Sequence, residues 1–156
     1  MRLASATIAI ILLSSFLAQT NYPTVVKKGT EIIFRAGTSF RGDIRQGDKK
    51  EDVALFRELA KFLNKHKDWS FLYEVHIEQR GNDEANLKLT EIRAKNTVHS
   101  LEEFFGVSKG QLIPKGMGES TPIISTEEIA KMETLAEKEK AYSINRRTVI
   151  RALNKR

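Results

Sequence analysis

Cysteine is absent from the 156 residues. Its absence excludes disulfides, Cys-ligated zinc and a thiol nucleophile, and it removes the acylated cysteine that a bacterial lipoprotein would need. No Gly-x-Ser-x-Gly elbow occurs, and no pair of carboxylates has a setting suited to acid–base work, so a hydrolase is not expected. The three histidines, His66, His76 and His99, lack metal-ligand spacing, and no metal or other cofactor is expected. The apolar stretch over residues 3–18 falls short of the ~20 residues that a membrane-spanning helix normally needs.

That short stretch has another reading. Met1-Arg2 followed by an apolar run over residues 8–17 has the form of a secretory signal: a basic start and a short hydrophobic core. The expected organisation is a cleaved signal over residues 1–20, a linker over 21–28 with Pro23, and one domain over 29–156; an uncleaved anchor is the alternative. Lys and Arg number 26 against 20 Asp and Glu, and residues 1–20 hold one base and no acid. The exported part would therefore keep a positive excess. In an exported protein this suits anionic envelope polymers, lipid head groups or plain solubility, and nucleic acid is not an expected partner.

Residues 30–35 predict a first strand, and 36–47 a loop with three glycines. Over residues 48–65 the apolar positions Phe56, Leu59, Ala60 and Leu63 have helical spacing. Trp69 leads into a second strand ending near Ile77, rich in aromatic and β-branched residues. Gly81-Asn82-Asp83 breaks it. Asn82 is placed to cap a long helix, with Asp83 and Glu84 in its positive first turn. Its apolar line is Leu87, Ala94, Val98, Leu101 and Phe105, until Gly106 stops it. Residues 111–119 form a weaker strand that Pro114 directs to a sheet edge. Residues 125–140 predict one charged helix, and 146–153 a closing strand. The order β-α-β-α-β-(α)-β gives an α+β fold with a mixed sheet and helices packed on one face.

Polar groups gather where the second strand meets the long helix. Glu78 ends the strand, and Asn86, Thr90 and Arg93 fall on roughly one face of the helix. An acid and a base held there can grip a ligand carrying both an amine and a carboxylate. The run His76-Ile77-Glu78, Gly81 and Asn86-Leu87-Lys88-Leu89-Thr90-Glu91-Ile92-Arg93-Ala94 resembles the signature of OmpA-like peptidoglycan-binding domains, roughly His-Thr-Asp, Gly, Asn-x-x-Leu-Ser-x-x-Arg-Ala. Gly116-Met117-Gly118-Glu119-Ser120-Thr121-Pro122 is similar to that family's Gly-x-Gly-Glu-x-x-Pro segment. Asn145-Arg146-Arg147-Thr148-Val149 resembles its Asn-Arg-Arg-Val closure, with Thr148 inserted or substituted.

The resemblance implies a site. Arg93 stands where the family's arginine holds the carboxylate of diaminopimelate in the peptidoglycan stem, a task suited to a guanidinium fork. The structural alternative pairs Arg93 with Glu78 or Glu91. Glu78 stands for the family's aspartate, one methylene longer, and Ile77 for its threonine. Asn86 either contacts ligand or caps the turn. Thr38 and Ser39, in the loop after the first strand, are further ligand-binding candidates, and Arg146 and Arg147 read as fold-closing contacts.

The implied function is a non-catalytic module that binds the peptidoglycan stem and tethers an envelope component, in the periplasm or at the outer membrane. Whatever it tethers would be a partner protein, or the chain is a free periplasmic module. The alternative is an envelope scaffold that keeps the fold but has lost or altered this binding.

Overall fold

The computed structural model describes residues 8–11, 22–34 and 50–156, with only the backbone described at 8–11 and 50–52. The expected loop over 36–47, the helix start at 48–49 and most of the expected signal lie outside the described residues. Among the described residues nine elements follow in order: β1 (Ile8–Ile11), β2 (Glu31–Phe34), α1 (Lys50–Lys65), β3 (Trp69–His76), α2 (Asp83–Phe105), β4 (Leu112–Gly118), α3 (Thr126–Ala130), α4 (Leu135–Asn145) and β5 (Arg147–Lys155).

The strands form one mixed sheet in the order β1-β2-β5-β3-β4. The last strand in the chain lies inside, antiparallel to both β2 and β3, while β3 and β4 run parallel. Pro114 sits in β4 at the sheet edge, where a missing N–H costs no ladder bond. The parallel strand β1 beside β2 was not expected. It lies in the stretch read as a signal core, and its isoleucines suit a strand as well as an apolar helix. Removal of residues 1–20 would leave the four strands β2-β5-β3-β4.

Alternate residues on three strands build the core: Ile32 and Phe34 on β2, Phe71, Tyr73 and Val75 on β3, and Ile150 and Ala152 on β5. The α1 residues Phe56, Leu59, Ala60 and Leu63 pack into the same cluster, as do Ala94, Val98 and Leu101 of α2. Both long helices thus cover this one face of the sheet. Among the described residues no helix is long and apolar enough to cross a membrane.

Two details differ from the sequence pattern. Leu87 is 43% exposed, and the buried face of the first turns of α2 is made by Asn86 and Thr90 instead. The cause is β4. A Cβ on Gly116 would come within 2.3 Å of the Glu91 amide nitrogen, and one on Gly118 within 3.2 Å of Leu87 Cα. Helix backbone therefore rests almost on strand backbone, leaving room for a hydroxyl but not for a leucine. Thr90 Oγ1 fills the gap by accepting from Gly118 N at 2.9 Å.

The stretch 125–140 is not one helix. Ser125 caps α3 and Thr134 caps α4, each in a reciprocal capping box, with Glu128 and Glu137 respectively. The second box restarts the helix and carries it to Asn145.

Candidate ligand-binding site

The site forms where β3 leaves the sheet. Ile77 N still donates to Gly118 O at 3.0 Å, and the chain then turns through Glu78, Gln79 and Arg80 to Gly81, whose φ of 107° favours glycine. Asn82 caps α2 as expected, accepting from Ala85 N at 2.9 Å. The turn thus fixes Glu78 against the first turns of the helix that bears Arg93.

Glu78 is held by two guanidinium groups. Its Oε1 accepts from Arg80 Nη2 at 2.8 Å and from Arg146 Nη1 at 2.9 Å. Glu139 on α4 accepts from Arg146 Nη2 at 2.8 Å and pairs with Arg80 Nη1 at 3.2 Å. The four side chains close a ring, and Arg80 also lies over the Tyr142 ring at 4.3 Å from its centroid. The Glu78 side chain is only 14% exposed. Burial pushes its carboxyl up, but hydrogen bonds from Arg80, its own backbone and Arg146 outweigh that and hold it below the usual carboxylate range. Oε2, also buried, has no hydrogen-bond partner among the described residues.

Arg93 is half-buried; its backbone carbonyl accepts from Thr97 Oγ1 at 2.9 Å, but its guanidinium makes no hydrogen bond or ion pair among the described residues. Burial lowers its pKa, and the nearby Glu78 charge opposes that shift. The pairing of Arg93 with Glu78 or Glu91, weighed as its structural alternative, does not occur: Glu78 is bonded to Arg80 and Arg146 instead. A guanidinium and a carboxylate oxygen thus stand near one another, each without a partner among the described residues.

Asn86 has a structural task. Its Nδ2 donates to Arg80 O at 3.0 Å and to Glu119 Oε2, tying the turn to the end of β4. Thr38 and Ser39 lie outside the described residues.

Next to this open pair is a closed one. Fully buried Asn145 accepts at Oδ1 from Ile123 N and Ile124 N, both at 2.9 Å, and donates from Nδ2 to Gln79 Oε1 (2.7 Å) and Ile124 O (2.8 Å). Arg147 donates to Thr121 O at 2.8 Å and to Asn145 O at 3.3 Å. His76 Nδ1 meets Thr121 Oγ1 at 3.1 Å, while its buried Nε2 has no hydrogen-bond partner among the described residues, so the saturation of this cluster is that of Asn145. Burial first, then the charges of Arg147, Arg151 and Lys115, push the His76 pKa down to about 3, so it stays neutral. Arg147 closes the fold, as its position in the motif implied.

Arg146 does more than close the fold. Together with Arg80 and Glu139 it belongs to the site, and sequence reasoning did not place any of the three there. Arg80 had a local signal, being two residues from Glu78; Glu139 had none, since it reaches the site only through the path of α4.

A model of the OmpA family matches residues 44–135, more than half of the chain, and the chain belongs to that family. It is 33% identical over 93 residues to the peptidoglycan-associated lipoprotein of Buchnera aphidicola subsp. Baizongia pistaciae, covering 60% of this chain and 47% of that protein. It is 33% identical over 75 residues to outer membrane porin F of Pseudomonas aeruginosa, covering 48% of this chain and 21% of the porin. The chain thus spans less than half the length of either relative. The periplasmic domain of Helicobacter pylori MotB shares the fold, with a TM-score of 0.60 at 16% identity, over 83% of this chain and 79% of that one.

Proposed function

We propose that the chain is a non-catalytic peptidoglycan-binding module that holds the diaminopimelate of the stem peptide and so tethers or positions an envelope component. Membership of the OmpA family and likeness to a peptidoglycan-associated lipoprotein support the general partner. The same relatives support an exported protein, in the periplasm or at the outer membrane. One observation carries the finer reading: the Arg93 guanidinium and Glu78 Oε2 are both without partners among the described residues.

The free end of diaminopimelate bears an ammonium and a carboxylate on one carbon. Its carboxylate would take the guanidinium fork of Arg93, and its ammonium would take Glu78 Oε2. Each contact relieves a group that is otherwise desolvated without a partner. A lysine stem offers the ammonium without the carboxylate and would leave Arg93 unmatched.

The test is co-sedimentation with purified sacculi of the diaminopimelate and lysine types. Retention by the first and loss from the second is expected. Equal retention would overturn the diaminopimelate assignment. No retention on either, from a folded protein, would favour the scaffold reading, which draws its support from the prior engagement of Glu78 by two arginines.

A further inference from the structure

Glu78 has one more side-chain torsion than the aspartate of the family signature, and so a longer list of rotamers to lose on gripping a ligand. The ring of Glu78, Arg80, Glu139 and Arg146 answers that. Both guanidinium groups bind the same oxygen, Oε1, which fixes the carboxylate and leaves Oε2 for a ligand. Neither arginine would hold its place as well alone. The Arg80 side chain is 47% exposed, and Glu139 takes a nitrogen from it and another from Arg146.

Charge gives Glu139 a second effect. With both acids present, the two carboxylates balance the two guanidinium groups. Without Glu139, one positive charge would stand uncompensated beside the oxygen that is to accept an ammonium, and like charge repels it.

We propose that Glu139 is a positioning residue of the ligand site: it never touches the ligand, but by balancing the charge of Arg80 and Arg146 it keeps the ring that holds Glu78 neutral. α4 thereby becomes part of the binding machinery. The proposal rests on the reading of Glu78 as the acceptor of the ligand ammonium.

The test is calorimetric titration of a diaminopimelate-containing tetrapeptide into the wild type, Glu139→Gln and the double variant Glu139→Gln with Arg80→Gln, with circular dichroism checking each fold. Glu139→Gln is expected to weaken binding about tenfold, a size common for coupled charges in one network. Removing Arg80 as well takes away the unbalanced cation while Arg146 still donates to Glu78 Oε1, and is expected to restore part of the lost affinity. A purely structural role for Glu139 predicts no such recovery. Wild-type affinity in Glu139→Gln, or a double variant that binds no better than the single one, would overturn the proposal and leave the tether reading standing. A folded wild type that fails to bind the peptide would overturn both.

Discussion

Asn145 and Arg146 are neighbours in sequence and open into two polar clusters of opposite character. Around Asn145, both side-chain atoms are used twice, on Ile123 N, Ile124 N, Gln79 Oε1 and Ile124 O. Around Glu78, by contrast, one carboxylate oxygen is bonded twice and the other not at all, and the Arg93 guanidinium has no partner among the described residues. Desolvated polar groups are costly unless matched. A saturated cluster is explained by the fold it holds together; the unsaturated one beside it has groups free, among the described residues, for the proposed ligand. The contrast separates structural polarity from functional polarity within one end of one sheet.

The largest expected effect belongs to the closed cluster. Asn145→Ala removes four hydrogen bonds at a fully buried position and leaves two backbone amides unmatched, at a cost of about 3 kcal/mol. Urea unfolding measures it. A loss below about 1 kcal/mol would mean that water enters the cluster and that it is not closed.

Acid comes next. His76 is neutral in the fold with a pKa near 3, against about 6.5 when unfolded. The unfolded chain takes up the proton first, so this contribution to stability is complete above pH 6.5 and is lost progressively as pH falls toward 3. Urea midpoints between pH 7 and 4 should drop, and His76→Gln should flatten that slope.

Glu78 titrates lower and more weakly. Its folded pKa lies below the usual value of about 4.3, so its share of stability is intact above that pH and fades as pH falls through the lowered value. Ligand binding should follow the same limb, since an ammonium needs the ionised acid. Titrations from pH 7 downward should hold their affinity further into acid than an ordinary carboxylate would allow.

The smallest stability effect is expected at the open cluster. Arg93→Ala removes a half-buried cation without a described partner, and should move stability by no more than about 0.5 kcal/mol. A loss like that of Asn145→Ala would erase the contrast.

Much of this fold can be read from residue order. The Phe56–Leu63 stripe, the Gly81-Asn82 start of α2 and the edge position forced by Pro114 are local signals, and each holds in three dimensions. Leu87 misleads because helical spacing assumes packing through side chains, whereas Gly116 and Gly118 let two backbones meet. The break between α3 and α4 was written in Thr134 and Glu137, but the charged residues that recur on both sides concealed it.

For the site, the signature pointed to Glu78 and Arg93, and Glu78 Oε2 and the Arg93 guanidinium are without partners among the described residues. Asn86 came from the same signature, and its amide nitrogen is spent on the turn. The ring through Arg146 and Glu139 is tertiary: it depends on where β5 begins and how α4 lies, and no short-range pattern encodes that.

The most direct test is calorimetric titration of the protein with a diaminopimelate-containing tetrapeptide, comparing wild type with Arg93→Ala. The account predicts saturable binding by the wild type and none by a variant that is as stable as its parent. Undiminished binding by Arg93→Ala would contradict it, because the open cluster would then not be where the ligand sits.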